Sequence, residues 1–172
     1  LTVRYPKKGI NLTIPTLKTV LIITGTITVA GLIGWVVARR FIATASPAPT
    51  NLGVTNGQLA PCPESPNCVS SRAGDAQHAI APLVYTGSTA EAHARLVSVL
   101  QATPRLTIID NQPTYLRAET RTAFWNFVDD TEFYFDEAAH IIEVRAASRL
   151  GYGDMGKNRK AIETIRAEFE QN

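Results

Sequence analysis

Residues 88–120 read STAEAHARLVSVLQATPRLTIIDNQPTYLRAET, and this run sets the fold class. It opens on a capping box. Ser88 and Glu91 stand in the S-x-x-E spacing, where hydroxyl and carboxylate each accept the other's backbone N–H. Ala92, Leu96, Val99 and Leu100 follow at helical spacing, so a helix starts there and buries one stripe. Thr103-Pro104 ends it, because proline lacks an N–H and pushes the preceding residue out of the helical region. The period then changes. Leu106–Asp110 and Tyr115–Thr120 read as two strands joined through Asn111-Gln112-Pro113.

Further along, Phe124–Val128 and Glu132–Phe135 read as strands flanking a tight turn at Asp129-Asp130-Thr131, since Asp suits turns. Ile141–Ala147 is another strand. From about Lys157 to Glu170 a closing helix sets Ile162, Ile165 and Phe169 on one face. Upstream, His78–Tyr85 reads as a strand interrupted at Pro82. Strand, helix, antiparallel strands, helix is the order of an α+β fold: an antiparallel sheet with helices packed on one face.

A single N-terminal transmembrane helix is expected to precede it. Thr19–Ala38 carries no charge; thirteen of its twenty residues are apolar, three are Gly and four are Thr. Twenty helical residues span ~30 Å, the thickness of a bilayer core. A core helix of that length would show a polar face. A cleaved signal peptide competes, through Ala43-Thr44-Ala45. The apolar run exceeds the usual ~7–15 residues of such a leader, and Arg39-Arg40 separates it from the site, so an uncleaved anchor is expected. Four basic residues precede the span and two follow, which places the N-terminus in the cytoplasm and the C-terminal domain on the periplasmic or lumenal side. The segmentation is then 1–18 cytoplasmic, 19–38 membrane, 39–60 linker and 61–172 soluble domain. Pro47 and Pro49 among small polar residues make the linker an extended tether with a reach of up to ~50 Å. The chain opens on Leu1 and its only methionine is Met155, so either the start is read as Leu or residues precede it. No sorting tag follows the last helix.

Thr26, Ala30 and Gly34 lie at i, i+4 and i+8, with Gly31 beside them. Small residues so spaced let a second membrane helix approach closely, although Gly and Thr are also common in such helices generally. Integral membrane subunits and the bilayer are the expected partners. Residues 1–50 hold six basic residues and no acid, whereas residues 51–172 hold eleven basic and fifteen acidic ones. The basicity belongs to the membrane end, so nucleic acid is not an expected partner.

Cys62 and Cys68 stand in P-C-P-E-S-P-N-C. Without nearby His they make no zinc site, and they are not C-x-x-C. An oxidising compartment favours a disulfide and a cytoplasmic one two buried thiols, so with the domain on the periplasmic or lumenal side a Cys62–Cys68 disulfide is expected. Between Val144 and Arg166 a strand gives way to a glycine-rich loop and a basic helix start. Arg149, Gly151, Gly153, Asp154, Lys157 and Arg159 are candidates for an anion or partner site, since helix N-terminal amides bind anions. The structural alternative is stronger: glycines permitting a tight connection, Asp154 capping, and Arg145 and Arg149 paired with acids such as Glu143 or Glu132. This is no P-loop, because Asn158 follows Lys157. Asp129, Asp130 and Glu132 suggest Ca²⁺ or acid–base chemistry less than they suggest a turn. His78, His93 and His140 lack metalloprotease spacing, and no G-x-S-x-G occurs. No metal, cofactor or catalytic residue is expected.

The stretches C-P-x-S-P-N-C-V-S-S (62–71), D-D-x-E-F (129–133) and R-x-x-S-R-x-G-x-x-D-x-G-x-N-R-K (145–160) resemble the domain-of-unknown-function family 1499, over about Leu59–Phe169. Ala146 departs from the Ser common there, which weakens any role for a hydroxyl at that position. The resemblance implies no activity. The occurrence of the family in photosynthetic bacteria and chloroplasts implies a photosynthetic or respiratory setting. The expected function is a non-catalytic accessory or assembly subunit of a membrane complex in an inner or photosynthetic membrane. A tethered periplasmic domain that binds an anion or lipid, or acts as an enzyme, is the alternative.

Overall fold

A computed structural model describes residues 16–171. They fall into two compact units that divide after Ala38. Helix α1 runs Leu17–Thr44. It is long and apolar enough to cross a membrane, and its large aliphatic side chains, Leu21, Ile27 and Ile33 among them, are exposed. Thr24, Thr26 and Thr28 turn their hydroxyls back onto the carbonyls of Val20, Ile22 and Thr24, each at 2.9 Å, so the helix presents no unsatisfied hydroxyl there.

The second unit is an α+β domain. After α1 come a small hairpin, β1 (Val54–Thr55) and β2 (Gln58–Leu59), then β3 (Cys68–Ser70) and β4 (Leu83–Val84). Helix α2 (Thr89–Ala102), strands β5 (Leu106–Gln112), β6 (Tyr115–Arg121), β7 (Val128–Asp136) and β8 (Ile141–Ser148), and helix α3 (Lys157–Gln171) complete it. The main sheet has the order β3-β8-β7-β6-β5, with β4 also on β8, and every pair of named strands is antiparallel. The capping box forms as expected: Glu91 N–H donates to Ser88 Oγ at 3.3 Å, and Ser88 N–H donates to Glu91 Oε2 at 2.9 Å.

Helices α2 and α3 cover one face only. Their stripes (Ala92, Leu96, Val99 and Leu100; Ile162, Ile165 and Phe169) form one core with Leu116, Phe133, Phe135, Ile142 and Val144 of the sheet.

Two expectations are corrected. Asp129-Asp130-Thr131 is not a turn. It lies inside the continuous nine-residue strand β7, and all three residues are buried. The turn falls earlier, where Thr122 N–H donates to Phe127 O at 2.9 Å and Phe127 N–H to Thr122 Oγ1 at 2.9 Å. Turn preference yields here because both carboxylates find cations: Asp130 meets Arg117 and Arg149, and Asp129 meets Lys157 at the start of α3. The second correction concerns His78–Tyr85. It shrinks to an isolated bridge at Ala79 and the two residues of β4, with most of the stretch spent on loop contacts.

Candidate functional site

The alternation that buries Leu116, Phe133 and Val144 under the helices sends their neighbours to the opposite face. Tyr115, Arg117 and Glu119 of β6, Asp130, Glu132 and Tyr134 of β7, and Glu143 and Arg145 of β8 point there. Register sets opposite charges side by side where Arg117 pairs with Glu132 and Glu132 with Arg145, and it sets two acids, Glu119 and Asp130, beside each other within reach of one cation.

The charges close into a network. Arg149, just past β8, sends Nε to Asp130 Oδ2 at 2.7 Å, Nη2 to Asp130 Oδ1 at 2.8 Å, and Nη2 also to Glu119 Oε1. The bidentate bond to Asp130 and the one to Glu119 raise the pKa of a guanidinium whose side chain is only 6% exposed. Arg117 adds a bond to Asp130 at 3.2 Å. Glu132, 0% exposed, accepts from Arg145 Nη1 at 2.9 Å and from the Tyr115 hydroxyl at 2.8 Å. Burial and then the Glu132 charge push the Tyr115 phenol far above its ordinary pKa, so it stays a donor. Arg145 Nε is buried without a hydrogen-bond partner among the described residues.

The lid on this face is the segment expected to be a loose tether. Ser46 is buried, and its carbonyl accepts from Arg149 Nη1 at 3.0 Å. Gly53 N–H donates to Glu132 Oε1 at 2.7 Å. Leu59, at the end of the β1–β2 hairpin, is 5% exposed. That hairpin turns on Asn56-Gly57, with φ of +52° and +72°. Asn-Gly with positive φ at both positions makes the two-residue turn whose twist matches antiparallel strands. The strap leaves a cleft of about 540 Å³ over the β5–β6 side, lined by Pro49, Gly53, Asp110, Tyr115, Arg117 and Tyr134.

The six residues proposed for an anion site are each occupied within the protein. Arg149 serves the network. Asp154 caps α3, accepting from Gly156 N–H at 2.9 Å and Asn158 N–H at 2.7 Å. Lys157 Nζ reaches Asp129 Oδ2 at 3.3 Å, and Arg159 donates to the carbonyls of Ala79 and Gln77. Gly151 has φ +96° and offers its carbonyl to Asn67 Nδ2 at 2.7 Å; Gly153 lies against Pro66. Arg149 pairs with Asp130 and Glu119, not with the expected Glu143 or Glu132. Arg145 pairs with Glu132, while Glu143 takes Arg72 at 3.0 Å and the Ser71 hydroxyl. Elsewhere, Asp75 holds the His78 imidazole at 2.9 Å, and this bond raises the His78 pKa.

Cys62 and Cys68 form a disulfide with Cα atoms 5.6 Å apart. It fastens the 62–68 loop beside Asn67, whose carbonyl accepts from Asn158 Nδ2 at 2.8 Å. Protein purified without reductant should gain mass on alkylation only after reduction. Cys62→Ser should cost about 2 kcal/mol of stability through restored loop entropy. Two thiols that alkylate at once would contradict the bond.

Sequence reasoning missed Tyr115, Arg117, Glu119 and Asp130 as members of one site. The signal was present as Tyr115, Arg117, Glu119 and Arg121 at every second position, opposite Leu116 and Ala118. The three quoted motifs meet physically. Asn67 from the first bonds Gly151 in the third, Asp129 and Asp130 from the second bond Lys157 and Arg149 in the third, and Asn158 returns to Asn67.

These features define a small α+β domain whose second sheet face is an ion-pair array closed by an N-terminal strap. The chain belongs to the family described as Protein of unknown function (DUF1499), which matches residues 58–169. No curated protein matches it.

Proposed function

We propose that the chain is a non-catalytic accessory or assembly subunit of a membrane protein complex, photosynthetic or respiratory. Helix α1 crosses the inner or photosynthetic membrane, and the domain caps the periplasmic or lumenal side. What supports this most is the strap. Residues 46–59 are bound to the domain's own sheet, so little chain is left as free tether. A tethered enzyme or ligand-binding domain gains from reach; a cap seated on a fixed partner gains from being held close. The paired charges under the strap then act as a stiff scaffold, since Arg149 ties Asp130, Glu119 and the Ser46 carbonyl together and hydrogen-bonded networks rigidify what they join.

The docking element in this proposal is the stripe Thr26, Ala30 and Gly34, widened by Gly31. A Cβ added at Gly31 or Gly34 meets nothing within 4 Å among the described residues, which leaves room for a close partner helix. Replacing Ala30 and Gly34 together with Leu should release the detergent-solubilised protein from whatever co-purifies with the unmodified chain. Equal recovery of the same partners would remove the stripe from the proposal.

A further inference from the structure

Among the described residues of the domain unit, four exposed large apolar side chains, three of them aromatic, gather at one end of the sheet. Strand directions fix which end. β6 finishes at Arg121 and β7 starts at Val128, so the turn between them lies there; β8 finishes at Ser148, so the loop into α3 lies there too. The turn exposes Phe124 (60%) and Trp125 (42%), and the loop exposes Tyr152 (79%) and Met155 (98%). Of the others, Phe41 (70%) lies on α1, Ile109 (44%) on β5, and Val84 (67%) pairs with Ile141 at the opposite end.

These side chains are held out by built structure. Phe124 and Trp125 pack edge to face with centroids 4.9 Å apart, on a turn stapled by the Thr122 hydroxyl and backbone. The glycine-rich loop is pinned at its base by Asn67 and by the Asp154 cap. The same end receives the chain from α1. Ala123 O accepts from Arg39 Nη1 at 2.7 Å, and Arg39 is the first charge after the twenty uncharged residues Thr19–Ala38. Arg39 is therefore the residue that meets the headgroups if α1 spans, and the turn touches it. Arg121, 44% exposed along its side chain, and Lys157, 50% exposed, lie on the same rim.

We propose that this end of the domain is a second membrane contact. The β6–β7 turn and the β8–α3 loop sit in the headgroup–acyl boundary of the bilayer that α1 crosses, with Phe124, Trp125, Tyr152 and Met155 as anchors. The chemistry fits: Trp and Tyr rings partition to that boundary, where one edge is wet and the body is apolar, and cations beside them meet headgroup phosphates. The occupant is the lipid surface because Ala123, next in the chain to Phe124 and Trp125, is hydrogen-bonded to Arg39, the residue that leaves the span. The inference rests on α1 being a span.

Depth-dependent quenching tests both separately. The full chain is reconstituted in phosphatidylcholine–phosphatidylglycerol vesicles, with and without lipids brominated on the upper acyl chain. The two tryptophans are read singly, in Trp35→Phe and Trp125→Phe. A third variant carries Tyr152→Trp with Trp35→Phe and Trp125→Phe. The expected result is loss of the larger part of the emission from Trp125, and from the residue introduced at 152, on shallow-brominated lipid, with little quenching by aqueous iodide. If the residue left in Trp125→Phe is quenched by lipid but Trp125 answers only to iodide, the surface belongs to water or a protein partner and the proposal fails. If Trp125 is quenched and position 152 is not, the two-loop contact fails. If Trp35 is itself unquenched, the span fails, and the contact as stated fails with it.

Discussion

Arg149→Ala should lower the melting temperature of the detergent-solubilised protein by roughly 10–20 °C or prevent its folding. The guanidinium is 6% exposed along its side chain and joins Asp130, Glu119 and the carbonyl of Ser46. Removing it leaves Asp130 buried with only Arg117 beside it. Loss of one partner from a buried pair costs ~3–5 kcal/mol, and a domain of this size loses a few degrees for each. Arg149→Lys should rescue little, because an ammonium cannot bond Asp130 twice and reach a second carboxylate and a carbonyl at once. A thermal melt decides the matter. An unchanged melt together with loss of complex would mean that Arg149 serves a ligand or partner instead.

Why Arg149 could be named from sequence and its partners could not is instructive. Features carried by neighbours in the chain were readable: the Ser88–Glu91 box, the Ile162/Ile165/Phe169 stripe, and the β5–β6 hairpin, although its turn is Pro113-Thr114, with Asn111 and Gln112 still in β5. Their causes lie within one turn or two. The network depends on register, and a slip of one residue in β7 would send Asp130 and Glu132 into the apolar core. Nothing local fixes that register. Asp129-Asp130 therefore looked like turn chemistry, although Asn126, with φ +64°, lies in the actual turn. The strap was hidden differently. Asn56-Gly57 between Val54 and Leu59 is a hairpin signal in its own right, but Pro47 and Pro49 coloured the whole segment as linker.

Glu132→Ala should be destabilising by a similar ~3–5 kcal/mol, since Arg145 would then be a buried cation without its partner. The Tyr115 hydroxyl and Gly53 N–H would lose their acceptor as well. The informative companion is the double variant Glu132→Leu with Arg145→Met. Buried ion pairs replaced by apolar groups of like volume are often neutral or better. Here Arg145 Nε already lacks a hydrogen-bond partner among the described residues, which makes the native pair an imperfect one. The double variant should recover most of the loss in denaturant titration. If it melts as low as Glu132→Ala, the pair contributes more than charge balance, through Gly53 and the strap.

The strap also has a bearing on where this domain can be cut. The family-matched span begins at residue 58, yet two groups that satisfy buried charges, the Ser46 carbonyl and the Gly53 amide, lie before it. A recombinant fragment beginning at 58 would carry every strand of the main sheet and both packed helices. It would nonetheless uncover Arg149 and Glu132 on the side that the strap closes. The smallest piece that keeps its polar accounts closed starts upstream of Ser46, at the end of α1, and a protease that nicks between 47 and 52 would loosen the sheet's far face before touching its core.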